Sequence, residues 1–307
     1  MRNVRVASLS VSAAGALSER LERIGPWLER AGRAKPDFIV LPEYALSDLR
    51  SPEPIPGPLV SAMAECARRW RAHVLTPLVH RTEEGRLYNS VVWLDRAGQV
   101  RGVYRKMFPT DYEMRSGLYP GEATPVFETD VGKVGVAICF DLNFAEVAQG
   151  LAAGGAEIVF FASAYEGGRQ LARWALDWGF YVVSAHRGGN GHIIDKTGRP
   201  LQASSPANPL MVRTLNLDRY IFHLDYNRRS LDAIVERYGA GVEVDICTAE
   251  GIFALESRME TTTVPEIARA FGLETYQEYL ARSRAARRQR LAGREVVAGP
   301  PGGPADP

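Results

Sequence analysis

Four short runs of uninterrupted apolar residues constrain this chain more than any other feature: FIVLPE at 38–43, KVGVAICF at 133–140, EIVFFAS at 157–163 and YVVSAHR at 181–187. A strand with one face in water alternates apolar and polar residues, whereas an unbroken apolar run belongs to a sheet covered on both faces. Segments of helical period lie between the runs. SERLERIGPWLERAGRA reads as an amphipathic helix ended before Pro36, and PLVSAMAECARRWR sets Leu59, Met63 and Ala67 on one helix face. A further helix follows the second run over about 143–153, and LARWALDWGF follows the third. Strand and helix therefore alternate, which is the pattern of an α/β fold.

The rest of the chain extends this plan. RVASLSV is a first strand; it lacks the continuous apolar stretch of a signal peptide, so we expect a cytoplasmic protein. HVLTPLVH and YNSVVWLD pair before a turn at Arg96, Ala97 and Gly98, and VRGVYRK runs into an irregular segment from Met107 to Thr124. HIIDKTGRPLQAS is a hairpin turning at Lys196, Thr197 and Gly198, and RTLNLDRYIFHLDY closes the core. Beyond Tyr226 the character changes: RRSLDAIVERYG and VPEIARAFG read as helices, followed by the long basic helix TYQEYLARSRAARRQRLAG and a Pro- and Gly-rich tail.

Charge and composition exclude several classes of function. Lys plus Arg is 37 and Asp plus Glu is 36, a balance that argues against nucleic acid or an anionic membrane as the main partner. The arginines between Arg282 and Arg290 read as a solvated helix face. No stretch approaches the roughly 20 apolar residues of a membrane span. Cys66, Cys139 and Cys247 are an odd set with no C-x-x-C pair, which suits a reducing compartment. No histidine spacing suggests a metal; His186 and His192 read as a loop and strand contact.

Three polar residues follow buried strands directly: Glu43, Lys106 and Cys139. Ligand sites in α/β sheets gather at the carboxyl ends of strands, so these three can share one cleft. Each alone is unremarkable, since a buried cysteine is commonly an inert small hydrophobe. Together they fit one reaction. A free thiol is only a few per cent thiolate at neutral pH, and a neighbouring carboxylate can take its proton as it attacks. A fixed ammonium can stabilise the oxyanion that then develops, and the backbone N–H of Phe140 is a second donor; such groups each contribute roughly 10²–10³ in rate.

At these residues the sequence resembles the nitrilase superfamily, the carbon–nitrogen hydrolases. LPEYAL around Glu43 is similar to the general-base segment, YRKMFPTDYE to the lysine segment, and GVAICFDLNFAE to the nucleophile turn, in the family's order. Flanking segments agree, and the resemblance covers residues from about 3 to 220. It places Glu113 where the family has a second glutamate, which orients substrate and Lys106 or tunes the protons of Glu43; a plain structural ion pair is the alternative. It implies a four-layer αββα sandwich, assembly as a homodimer or higher homo-oligomer through a two-fold interface, and chemistry with no metal and no cofactor; the residues themselves add a C-terminal helical arm. We divide the chain into a hydrolase domain over 1–258, a helical extension over 259–295 and a disordered tail over 296–307.

On this resemblance Cys139 attacks a small amide to give a thioester that water then hydrolyses, releasing ammonia or an amine. Nitrile-cleaving members typically carry Trp-Glu after the nucleophile; Phe140-Asp141 is closer to the amidase and carbamoyl-hydrolase pattern. Relatives acting on carboxylate-bearing substrates often have an arginine where this chain has Asn143, a neutral donor and acceptor that suits a neutral polar substrate. Tyr165 and Glu166 are expected at the cleft wall, Glu166 facing a substrate amino group or serving only as a turn residue. An N-carbamoyl amine or amino acid hydrolase of the ureidopropionase kind, a nitrilase, an acyl transferase and a catalytically silent binding scaffold are the alternatives.

Overall fold

A computed structural model of the chain describes residues 2–296. They form two compact units, one spanning Val4–Leu215 and one made of Asn216 onward with the chain start up to Asn3.

The first unit runs β1 (Asn3–Leu9), α1 (Leu17–Arg33), β2 (Phe38–Val40), α2 (Pro58–Trp70), β3 (His73–Arg81), β4 (Leu87–Leu94), β5 (Val100–Arg105) and α3 (Asp111–Arg115). It continues through β6 (Val126–Glu128), β7 (Lys133–Ile138), α4 (Ala145–Ala153), β8 (Ile158–Ser163), α5 (Arg169–Trp178), β9 (Tyr181–His186), β10 (His192–Ile194), β11 (Pro200–Ala203) and β12 (Leu210–Asn216). Two six-stranded sheets result, ordered β12-β1-β2-β3-β4-β5 and β11-β10-β9-β8-β7-β6. The pairs β1–β2–β3 and β7–β8–β9 are parallel. Their strands include the unbroken apolar runs: β2, β8 and β9 are buried throughout, and β7 at every residue but Lys133.

The sheets face one another. Ser8 Oγ donates to the Ser184 carbonyl at 2.7 Å, and the rings of Phe38 and Phe160 lie 5.0 Å apart. Outside the first sheet, α1 and α2 bury Ile24, Leu28, Leu59 and Met63 against Ile39 and Val74. Outside the second, α4 and α5 bury Val147, Leu151, Leu171 and Trp174 against Val159 and Val182. Each such aliphatic side chain contributes about 1.5–3 kcal/mol when fully buried. Gly32 lets α1 approach α2, because a Cβ there would meet the Trp70 ring at 2.0 Å. The unit is the expected four-layer αββα sandwich.

The second unit contains β13 (Arg219–His223), α6 (Leu231–Tyr238), β14 (Val242–Cys247), β15 (Ile252–Ser257), α7 (Val264–Phe271) and α8 (Tyr276–Leu291). Its three-stranded antiparallel sheet, ordered β13-β15-β14, buries Phe222, Phe253 and Leu255 with Ile234, Val264 and Ile267. Between the helices read past Tyr226, which are present, VEVDIC and IFALES pair as a hairpin that the sequence reading left unassigned. One sequence expectation needs correction here. RTLNLDRYIFHLDY is not one closing element: the chain divides at Asn216, leaving β12 in the first sheet and β13 in the small one. The helices α7 and α8 form the C-terminal arm, and α8 has no buried residue. The tail expected from 296 lies, beyond Val296, outside the described residues. Among the described residues no helix is long and apolar enough to cross a membrane.

Candidate active site

Four of the residues singled out in the sequence line one cavity of about 500 Å³ in the first unit: Glu43, Lys106, Glu113 and Cys139. Glu43 lies three residues beyond β2, Lys106 directly beyond β5, and Cys139 directly beyond β7. Glu113 comes from α3, a helix of five residues inside the segment read as irregular. Its signal was present in TDYE. Thr110 caps the helix, accepting from the Glu113 N–H at 3.2 Å, while the Glu113 carboxylate accepts from the Thr110 N–H at 2.7 Å.

Lys106 is 1% exposed, and its ammonium donates to Glu43 Oε1 at 2.9 Å and to Glu113 Oε2 at 2.7 Å. An ammonium has three donors, so one remains for a ligand. Burial pulls the Lys106 pKa down, but the two carboxylates outweigh it and hold the group above its ordinary 10.5. For Glu113, burial favours the neutral acid, yet Lys106 and the Thr110 N–H hold the carboxyl below its ordinary 4.5. A buried charge persists only when paired and hydrogen-bonded, and this cluster meets both conditions.

Asn89, on β4 and 1% exposed, escaped the sequence reading. Its amide donates to Glu43 Oε1 at 2.7 Å and to Glu113 Oε1 at 2.8 Å, so it holds the two carboxylates in one arrangement. Tyr44 adds a phenol donor to Glu113 Oε1 at 2.7 Å; burial and then the two glutamates raise its pKa, which keeps it a donor. The Ala164 N–H donates to Glu43 Oε2 at 3.0 Å. Both oxygens of Glu43 are therefore engaged, and its position is over-determined.

Cys139 has φ 47°, and Tyr44 has φ 58°. The left-handed region costs a side-chain-bearing residue about 1–2 kcal/mol and is retained where the surroundings enforce it. Around Cys139 they do. Asp141, fully buried, accepts from the Ile138 N–H at 2.9 Å, the Phe108 N–H at 2.9 Å and the Tyr104 hydroxyl at 2.6 Å. Burial, then the Glu43 charge, push the thiol up to about 12 against the pull of Lys106. At neutral pH the sulfur is protonated beside a carboxylate able to take that proton.

The residues expected to contact substrate stand differently. Phe140, Asn143, Tyr165 and Glu166 are not among those lining the cavity. The Phe140 ring meets Phe144 edge-on at 5.3 Å. Asn143 donates to the Phe140 carbonyl at 3.1 Å and accepts from Gln170 at 2.9 Å. Tyr165 is half-buried, its phenol pushed up to about 12 by burial and by Cys139; Glu166 is exposed and accepts from Asn190. The cavity wall also carries Asp48, Arg50, Tyr112 and Arg187.

A family model described as carbon-nitrogen hydrolase matches residues 5–221. A probable nitrilase of Schizosaccharomyces pombe is 34% identical over 169 residues, which is 48% of this chain and 60% of that protein's length. An omega-amidase of Xenopus tropicalis is 26% identical over 206 residues, covering 60% of this chain and 75% of the other. Among solved structures, Saccharomyces cerevisiae Nit3, a member of branch 10 of the nitrilase superfamily, superposes with TM-score 0.65 at 19% identity, over 78% of this chain and 95% of that one. A variant of the amidase from Nesterenkonia sp. AN1 in complex with butyramide gives TM-score 0.62 at 19% identity, over 76% and 97%. At these identities the superpositions speak for the fold.

Proposed function

The chain belongs to the carbon–nitrogen hydrolase family, and from that premise we propose that it hydrolyses the amide bond of a small substrate through a thioester on Cys139. The observation that carries the reading is the Cys139 thiol, held at φ 47° beside Glu43, whose carboxylate is 2.9 Å from the Lys106 ammonium. Cys139 Sγ attacks the amide carbon as Glu43 takes the thiol proton. The free donor of Lys106 and the Phe140 N–H stabilise the oxyanion. The C–N bond breaks, and Glu43 returns the proton to the departing ammonia or amine. Water then attacks the thioester with Glu43 as its base, and the acid leaves with the thiol restored. Glu113 is a positioning residue: it fixes Lys106 and, through Asn89, the carboxylate of Glu43.

Similarity to omega-amidases, and the Cys139-Phe140-Asp141 sequence, support an amide substrate. The similarity to a probable nitrilase favours a second reading, in which the thiol adds to a nitrile. Matched amide and nitrile derivatives of one acid separate the two: faster acid formation from the amide is expected, and faster formation from the nitrile overturns the first reading. Ammonia release from a panel of small amides, with an acyl adduct on Cys139 seen by mass spectrometry, tests the mechanism. Turnover by a Cys139→Ala protein overturns it. The family resemblance also supports a cytoplasmic homo-oligomer working without a cofactor.

A further inference from the structure

A second cavity, of about 790 Å³, opens at the amino ends of β2 and β3, whereas Glu43 and Cys139 stand beyond the carboxyl ends of their strands. Its wall carries five cations, Arg33, Lys35, Arg69, Arg71 and Arg96, and two carboxylates, Asp37 and Asp130. Both carboxylates are engaged. Arg96 donates to Asp37 at 2.6 Å, to Asp130 at 2.8 Å and to the Arg71 carbonyl at 2.8 Å. Asp37 also accepts from the Arg5 N–H at 2.7 Å, and Asp130 from the buried His73 ring at 2.6 Å. Arg69 is ion-paired with Glu29 at 2.6 Å. Arg33, Lys35 and Arg71 remain. All three are exposed, and none has an ion-pair partner among the described residues.

These cations gather where two helices stop. Arg33 is the last residue of α1, and Arg71 follows the last residue of α2. Lys35 has φ 52° and Arg71 φ 50°, left-handed positions that glycine commonly fills after a helix. A helix carboxyl end carries about half a negative charge, which explains part of the cationic excess. It does not explain all of it. Arg96 and its two carboxylates sum to one negative charge, Arg69 and Glu29 to none, and the three remaining cations to three positive charges. His73, which burial holds below its ordinary 6.5, adds none at neutral pH. Subtracting about one charge for the two helix ends leaves a positive surplus of about one.

A concave wall with surplus positive charge and three uncommitted cations is a receptor for an anion. A carboxylate offers two oxygens and one charge. A phosphate monoester offers three terminal oxygens and about −1.5 to −2 charge, so each cation can have an oxygen of its own. Guanidiniums also pair with phosphate through two parallel N–H donors. The cavity falls within the roughly 300–1,000 Å³ of small-molecule sites. The Trp70 ring on its wall is packed against Gly32 and carries the Arg69 guanidinium 4.9 Å from its centroid, so charge rather than stacking recognises the ligand.

We propose that Arg33, Lys35 and Arg71 bind the phosphate group of a small phosphate monoester, at a site separate from Cys139. The full chain is titrated calorimetrically with glucose 6-phosphate and phenyl phosphate, and with glucuronate and benzoate, in which a carboxylate stands for the phosphate. At least one phosphate is expected to bind about ten-fold or more tighter than its carboxylate counterpart, a preference that weakens as salt is added. The Arg33→Gln, Arg71→Gln double variant is expected to lose about ten-fold or more of that affinity. Arg81→Gln with Arg86→Gln removes equal charge beyond the far end of β3. Arg81 is eight residues from His73 along that strand, about 26 Å and more than two Debye lengths, so this pair is expected to change affinity by less than about two-fold. Thermal melts without ligand check that both proteins fold. Should the first melt low, Arg33→Gln alone, which leaves both left-handed positions as they are, is expected to lose about three-fold. Equal affinity within each pair, no measurable binding of either phosphate, affinity unchanged by the cavity substitutions, or an equal loss in the Arg81 and Arg86 variant overturns the site. Binding of a phosphoserine peptide with neither small phosphate bound assigns the cavity to a phosphoprotein and overturns the small-molecule reading. The same affinities are expected in a Cys139→Ala protein, and their loss there would place the ligand in the active-site cavity instead, so this site and the amidase reading fail separately.

Discussion

The Tyr104 hydroxyl donates to Asp141 Oδ2 at 2.6 Å, joining β5 of one sheet to the turn after β7 of the other. Tyr104 stands two residues before Lys106, and Asp141 two residues after Cys139. The bond therefore sets the lysine relative to the thiol. Burial pushes the Asp141 carboxyl up to about 6, opposed by its three donors, of which Tyr104 is one.

Removing that donor should loosen the registration without touching substrate. Tyr104→Phe should cost about 1.5–3 kcal/mol of stability, as for a buried hydrogen bond to a charged acceptor. In the folded variant kcat should fall while KM changes little, since the loss falls on alignment. A variant as active and as stable as the wild type shows that the bond does not set the site.

The Cys139 thiol should react only with help. With the thiol pushed up to about 12, its selectivity over Cys66 and Cys247 arises from access to the cavity and from Glu43, not from acidity. Iodoacetamide should label Cys139 first, and Glu43→Gln should slow that labelling. Thiolate absorbance near 240 nm should be missing for this residue at neutral pH. A preformed thiolate at pH 7, or labelling as fast in the Glu43→Gln protein, contradicts the proton transfer.

How much of this was legible in the sequence follows from what each feature depends on. The unbroken apolar runs announced β2, β7, β8 and β9, because burial on both faces leaves its mark locally. The spacing of Leu59, Met63 and Ala67 announced the buried face of α2. Glu43, Lys106 and Cys139 were legible because strand ends collect ligands. Asn89 was not, since a polar residue within a strand shows its partners only once the register of β4 and β5 is known. The hairpin β14–β15 was hidden by the polar residues Glu243 and Asp245 within its first strand, which left no apolar run to read.

Stability should follow pH through the same cluster. Glu113 is held below its ordinary 4.5, so its contribution is present above that value and lost as pH falls through the lowered one. Lys106 is held above its ordinary 10.5, so its contribution is present below that value and lost as pH rises through the raised one. Thermal melts should therefore show Glu113→Gln gaining less stability than the wild type as pH climbs from about 3 to about 6. Parallel curves for the two proteins remove Glu113 from the acid response.

Lys106 gives the most demanding test, because a binding cation and an oxyanion donor fail differently. A cation that merely holds substrate stabilises ground and transition states alike, and its loss raises KM. An oxyanion donor gains most of its interaction once charge develops on the carbonyl oxygen, so Lys106→Ala should lower kcat by at least about 10²-fold, with kcat/KM falling alongside. Lys106→Arg should also be badly impaired, since the wider planar fork cannot sit 2.9 Å and 2.7 Å from two carboxylates and still offer a compact third donor. Loss of the ammonium leaves Glu43 and Glu113 buried without their cation, a penalty of about 3–5 kcal/mol. Stability and activity must therefore be separated. Adding Glu113→Gln to Lys106→Ala removes one of the unpaired charges and should recover part of the melting temperature, while kcat stays low because the oxyanion donor is still missing. Recovery of kcat together with stability would reduce Lys106 to a structural role, and a folded Lys106→Ala protein with near-wild-type kcat would remove it from the mechanism.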